Sequence, residues 1–403
     1  MINALVNASW VDAERVKWYP VILTTMLAAT TVFVLFVNDG LLPNGAPFGS
    51  DFVSFWIAAR EGLFGDPVLV YNRETFDPLQ KEVFPDAGFF AFFYPPHYQM
   101  LLLPLGSLPY YAALIVWQLI TFAFVAWVMT RITGEVRLTL ILAVAFPAAF
   151  LTLAHGQNAF LSAALFAAGL FYLPKRPVLA GVMFGILTFK PQLGLLIPVA
   201  LIAAWQWKAI FSAAVTAISL AALSVAVLGI DVWAAFMAQA TAATNALEVG
   251  AVGWSKMISL YSALRGFGIP YALAMSLHAL VALTVAVAIL AVWRRGSRVD
   301  HALKCAMLMV GALIVTPFGL NYDLYLLAPA AAFLLASVPW SALTGAERNA
   351  LVALFVLPIT ILMTMNIGFS LAPWLVFAAF VVIAMRAFGI STVQATETAV
   401  AQA

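Results

Sequence analysis

VLAGVMFGILTFKPQLGLLIPVALIAAWQW, residues 178–207, carries a single charge, Lys190, placed between two apolar runs. A cation in the middle of an apolar helix costs roughly 2.5–3.5 kcal/mol in a bilayer unless it snorkels or meets a partner. Pro191 beside it breaks the helix and frees carbonyls, which a membrane tolerates where the backbone is buried or lines a cavity. The stretch reads as two buried membrane helices interrupted by a polar motif, Lys190-Pro191-Gln192.

The same alternation runs outward in both directions. Apolar runs near 20–37, 109–130, 138–154, 159–173, 178–189, 193–207, 209–229, 270–293, 303–316, 321–338, 350–366 and 372–386 predict about 12 transmembrane helices. Full spans need roughly 20 apolar residues, so the shorter runs suit helices buried among others. Composition agrees: the mean hydropathy is +1.03 and 9% of residues are charged, against about 25% in soluble domains. The predicted fold class is therefore an all-α polytopic membrane protein, one domain over 1–389, with 390–403 a disordered cytoplasmic tail. Asp12 and Glu14 precede the first run and no small-residue cleavage site follows it, which predicts a retained helix.

Basic residues set the orientation. With the N-terminus inside, 13 of the 19 Lys and Arg residues fall on the cytoplasmic side, Arg294, Arg295 and Arg298 among them. The other six, Arg60, Arg73, Lys81, Lys190, Lys256 and Arg265, fall outside, near the polar motifs. The predicted location is a bacterial inner membrane with both termini cytoplasmic and the site facing the periplasm. Residues 38–108 form a long first outer loop and 231–269 a second outer segment. Within the first loop, Phe52, Phe55, Trp56, Ala59 and Leu63 repeat at helical spacing up to Gly65-Asp66-Pro67, predicting a helix along the interface.

The motifs between runs all fall on that outer face, and each admits a functional and a plain reading. Asp51 opens the aromatic helix: a partly desolvated carboxylate there suits a general base, and a helix N-cap is the plain alternative. Tyr94-Pro95-Pro96-His97 is a stiff corner that orients Tyr94 and His97, or an ordinary re-entry turn. His155-Gly156-Gln157-Asn158 offers donors and acceptors suited to sugar hydroxyls, or is a turn with Asn158 as cap. Lys190 suits a phosphate, with an ion pair to an outer carboxylate as its alternative, and Gln192 adds an amide beside it. Lys256 and Arg265 form a second cationic patch; Asn321 and Asp323 follow a proline break, where Asp323 is either a site carboxylate or a helix-start charge.

Other chemistries find no support. No spacing resembles a metal-ligand cluster, so no metal and no cofactor are predicted. Basic residues form no stripe interleaved with aromatics, which argues against nucleic acid as a partner, and the single cysteine, Cys305, lies in an apolar run. No Gly-rich phosphate loop appears on the cytoplasmic side, so an activated substrate has to come from the membrane.

Taken in order, Asp51-Phe52, Tyr94-Pro95-Pro96, Leu101-Leu102-Leu103-Pro104-Leu105, Leu108-Pro109, Gly156-Gln157-Asn158 and Gly181 through Lys190-Pro191 resemble glycosyltransferase family 87, over about residues 45–330. The resemblance implies the C-type glycosyltransferase fold, a polyprenyl-phosphate sugar as donor, a lipid or glycan acceptor, and inversion at the anomeric carbon on the extracytoplasmic face. It favours a mannose-like hexose. It implies Asp51 as general base and Lys190 at the donor phosphate, with Lys256 or Arg265 as second cation. Tyr94, His97, His155, Gln157, Asn158, Gln192, Asn321 and Asp323 are then the candidate sugar and acceptor contacts. The rival is a multi-pass transporter or lipid flippase, which places coupling groups at mid-membrane in repeated halves. Here ionisable residues gather at one surface and no repeat is visible.

Overall fold

The computed structural model describes residues 8, 10–38, 41, 42, 47–250, 253–364 and 370–390 of the chain; of the predicted tail, 390–403, all but Ile390 lie outside them. Among the described residues it is all-helical, with two isolated bridges, Leu41 to Pro47 and Met257 to Leu320. Each apolar run folds as helix. The chain passes through α1 (Ala13–Val37), α2 (Phe52–Phe64), α3 (Arg73–Val83), α4 (Pro96–Gly106), α5 (Tyr110–Thr133), α6 (Val136–Val144), α7 (Pro147–His155), α8 (Ala159–Tyr172) and α9 (Pro177–Ile186). It continues through α10 (Leu196–Ala203), α11 (Trp207–Leu228), α12 (Asp231–Val249), α13 (Leu260–Gly266), α14 (Tyr271–Trp293), α15 (His301–Val315), α16 (Leu327–Ser337), α17 (Gly345–Thr364) and α18 (Ala372–Ala387).

Among the described residues, four helices are long and apolar enough to cross a membrane: residues 18–37 of α1, then α5, α11 and α14. A fifth crossing is made if α6 and α7, bent by 55° at their junction, act as one. The remaining apolar runs are shorter. The 14 residues of α8 rise about 21 Å, less than a hydrocarbon core of about 30 Å. The breaks explain this: Pro147, the Lys190-Pro191 kink and the 3-10 turn Asn321–Leu326 each cut an apolar run, the last two where polar side chains enter.

Two populations of helix result. Almost every side chain of α8 and of α15 is buried, whereas 6% of the spanning windows of α1 and α11 is buried. Phe36, Phe211 and Ile218 stand 83%, 68% and 68% exposed, faces that only lipid can cover without cost in a membrane protein. Between α9 and α11 the contact is backbone-close: a Cβ on Gly181 would sit 2.4 Å from the Ala209 carbonyl oxygen. Small residues permit that approach.

Helix ends meet one another at one pole: the Arg295 N–H donates to the Ala203 carbonyl at 2.9 Å, His301 Nε2 lies 2.9 Å from the Leu170 carbonyl, and Arg386 pairs with Glu347. The ends of α7, α8, α9 and α15 meet at the opposite pole. There α2 differs from expectation. Its aromatic stripe is spent on protein packing, with Phe52 to Ala59 buried, Trp56 Nε1 donating to the Leu108 carbonyl at 2.9 Å, and α4 lying against it at Gly106.

Candidate active site

Asp51 stands at the N-cap position of α2, yet its side chain makes no cap bond. Its Oδ2 instead accepts from Gln157 Nε2 at 2.8 Å. The cap alternative is thereby set aside, because the carboxylate is turned away from the helix amides. The backbone holds it there. Gly49 N–H donates to the Ala154 carbonyl at 2.9 Å, Asp51 N–H to the His155 carbonyl at 3.0 Å, and the Tyr110 hydroxyl to the Gly49 carbonyl at 2.8 Å. Gly156 ends α7 at φ +66°, and a Cβ there would fall 2.5 Å from Phe52 Cβ. A glycine is required on both counts, since L-residues rarely adopt that φ and the space is filled.

Gln157 and Asn158 carry the contacts inward. Gln157 Oε1 accepts from the Tyr94 hydroxyl and from the Asn158 backbone N–H, both at 3.3 Å. The Asn158 side chain makes no cap bond to α8; its Nδ2 donates to the Tyr98 hydroxyl at 3.2 Å and its Oδ1 accepts from Lys190 Nζ at 3.1 Å. Desolvation, then the Asp323 charge, raises the Tyr94 hydroxyl above its usual range, and desolvation, then Tyr94, raises Tyr98. Both tyrosines stay protonated and act as neutral groups between two carboxylates.

Beyond Asn158 lies an ion pair. Lys190 Nζ meets Asp323 Oδ1, each side chain 2% exposed, and lies 5.0 Å above the Tyr322 ring. Asp323 Oδ2 also accepts from the Leu320 N–H at 3.1 Å, and Asn321 Oδ1 from the Tyr322 N–H at 2.8 Å. Of the two readings of Lys190, the ion pair is the one its side chain makes in this structure. The pair is neutral as a unit and belongs to the floor of the site. Asp51, by contrast, is 27% exposed, with His155 Nδ1 at 3.9 Å and the Ser50 hydroxyl at 3.4 Å from Oδ1.

Tyr94, His155, Gln157, Asn158, Lys190 and Asp323 are thus brought to Asp51 or to the pair beneath it, and Asn321 shares the turn of Asp323 with its side chain on the Tyr322 N–H. Other candidates are placed elsewhere. His97 is buried and stacked on Trp233 at 6.3 Å, neither ring nitrogen has a hydrogen-bond partner among the described residues, and burial lowers its pKa to about 4. Arg265 donates to the Ile269 and Glu248 carbonyls, both at 2.9 Å, and lies over Trp254, so it ties the second outer segment together. Gln192 is half-buried on the turn Pro191–Gly194, apart from this network. Lys256 is exposed on the turn Trp254–Lys256, and the next residue, Met257, bridges to Leu320, which leads into Asn321. Sequence reasoning passed over Ser50, Tyr98 and Tyr322; Tyr98 follows Tyr94 by four residues, a spacing that signals a shared face.

This geometry supplies a carboxylate held on one oxygen, a neutral polar wall and a buried ion pair beneath them. It can take a proton from a hydroxyl brought to Asp51. The sequence model of glycosyltransferase family 87 matches residues 92–320, more than half of the chain. The match covers every candidate from Tyr94 to Arg265; Asp51, Asn321 and Asp323 lie outside it. No curated protein and no solved structure matches the chain.

Proposed function

The chain belongs to glycosyltransferase family 87 and is a membrane glycosyltransferase, and on that premise we propose that it moves a mannose-like sugar from a polyprenyl-phosphate donor to a lipid or glycan hydroxyl at the pole where Asp51 stands. That pole faces the periplasm of a bacterial inner membrane, with both termini cytoplasmic. The bias of the basic residues supports this sidedness. The shorter helices then cross in tandem to complete about twelve passages in a C-type glycosyltransferase fold.

The acceptor hydroxyl gives its proton to Asp51 as its oxygen bonds to the anomeric carbon. The bond from that carbon to the phosphate oxygen breaks on the opposite face, and its electron pair leaves with polyprenyl phosphate. Charge developing on the phosphate calls for a cation. Lys190, beside Asn158, is the cation assigned to it in this reading, with Lys256 as the second. Tyr94, His155, Asn158 and Asn321 line the space for sugar hydroxyls.

The observation that carries this reading is the Asp51 carboxylate itself: at a helix start, partly exposed, and unspent on capping. A transporter has no use for a base so placed at one surface. The test is Asp51→Asn in nanodiscs, with polyprenyl-phosphate mannose as donor and octyl mannoside as acceptor. Turnover falls by roughly 10²- to 10⁴-fold, while thermal stability is nearly unchanged because no cap bond is lost. An Asn variant with most of its activity would remove Asp51 from the chemistry.

A further inference from the structure

Asp51 and Tyr94 compete for nothing; Gln157 joins them, and its partners decide which way its amide points. Nε2 donates to Asp51 Oδ2 at 2.8 Å, while Oε1 accepts from Tyr94 and from the Asn158 backbone N–H at 3.3 Å. An ionised carboxylate only accepts and a backbone N–H only donates, so flipping the amide breaks both ends at once. The lock is itself supported. Gln157 is buried, and the Tyr94 ring packs against Phe55 at 5.2 Å and Tyr98 at 4.7 Å.

The consequence falls on the two oxygens of Asp51. Oδ2 accepts the well-formed bond from Gln157 Nε2 at 2.8 Å. Among the described residues, Oδ1 meets the Ser50 hydroxyl at 3.4 Å and His155 at 3.9 Å, both long, on a side chain still 27% exposed. A carboxylate free to turn offers a hydroxyl either oxygen at a range of angles. One held through Oδ2 keeps a fixed orientation and presents Oδ1, the less engaged oxygen. Misplacing a reacting group by about 1 Å can cost on the order of 10²-fold in rate.

We propose that Gln157, locked by Tyr94 and the Asn158 N–H, is a positioning residue that aims Oδ1 of Asp51 at the acceptor hydroxyl. Its amide is then spent on the base and not on the sugar. This rests on Asp51 acting as the base, and it adds which oxygen receives the proton and what holds it.

Two substitutions test it in full-length protein in nanodiscs, again with polyprenyl-phosphate mannose and octyl mannoside. Gln157→Leu frees the carboxylate: kcat falls by roughly 10- to 100-fold with KM for both substrates within about threefold. Gln157→Glu places a second carboxylate against Oδ2, and two carboxylates that close share a proton. The acid limb of kcat/KM then moves up by about one pH unit or more. The other titratable groups facing Asp51 are His155 from α7, Tyr94 before α4, Tyr110 from α5 and Tyr322, with the Lys190–Asp323 pair beyond, and all are kept in both variants.

A Gln157→Leu protein that loses KM alone would make Gln157 a sugar contact and overturn the proposal. So would an acid limb that stays in place in Gln157→Glu. Wild-type protein that transfers no mannose, or Asp51→Asn that transfers normally, would instead sink the reading beneath it, so the two failures are distinct.

Discussion

Lys190 and Asp323, 133 residues apart in the chain, form an ion pair in which each side chain is 2% exposed. The pair joins the break between α9 and α10 to the 3-10 turn Asn321–Leu326, and Asn158 at the start of α8 completes it. Three interrupted helices therefore meet on one charge contact. Their frayed ends are tolerable in a membrane because polar groups at the breaks satisfy one another inside the protein.

Lys190→Ala leaves Asp323 buried and unpaired, which costs about 3–5 kcal/mol. The double variant Lys190→Met with Asp323→Leu removes both charges and recovers most of that loss. Thermal unfolding of the purified protein, followed by size exclusion, reads the difference. A single variant as stable as wild type would show that the pair contributes little. A double variant as unstable as the single would show that the charge is not what matters.

His97 gives a pH dependence that can be signed. Its pKa is lowered from 6.5 to about 4 by burial, so between those values the unfolded chain holds a proton that the folded protein does not. The stability due to its neutral form is fully present above pH 6.5. It is lost as pH falls toward 4, by at most about 1.4 kcal/mol per pH unit. Both ring nitrogens lack partners and the ring stacks on Trp233, so His97→Phe keeps the packing and removes the titration. Melting temperature against pH becomes flatter between pH 6.5 and 4 in the variant. Activity at pH 7 stays within about twofold, because the substitution breaks no hydrogen bond and opens no cavity, the usual sources of a large effect. An unchanged slope would assign the acid sensitivity to other groups.

How far the sequence could be read follows from which forces are local. Each apolar run became a helix because hydropathy acts over the residues of one segment. Where a run would end was also visible at Lys190-Pro191 and Thr316-Pro317, whereas the run 138–154 was read straight through Pro147, where the structure bends it by 55°. The role of each polar side chain was not visible, because it depends on a partner far along the chain. Asp51 and Gln157 lie 106 residues apart, and the cap and base readings differ only in which way one carboxylate turns. Lys190 likewise suited a phosphate or a carboxylate equally well until Asp323 was placed beside it. Arg265 resembled a site cation for the same reason; its two carbonyl partners come from chain folding back on itself.

The sidedness of the site decides which substrates can reach it, and it is open to direct labelling. The single cysteine, Cys305, is buried, so introduced cysteines report against a quiet background. Glu82 is exposed at the end of α3 on the pole of Asp51, and Lys175 is exposed after α8 at the other pole. Acidic and basic residues mix around Glu82, whereas Lys175 and Arg176 form part of the basic set that retention on the cytoplasmic side predicts. In spheroplasts treated with a membrane-impermeant maleimide, Glu82→Cys is labelled at once and Lys175→Cys only after permeabilisation. The reverse pattern would place Asp51 on the cytoplasmic face, where nucleotide-activated sugars are available, and the lipid-linked donor would lose its reason.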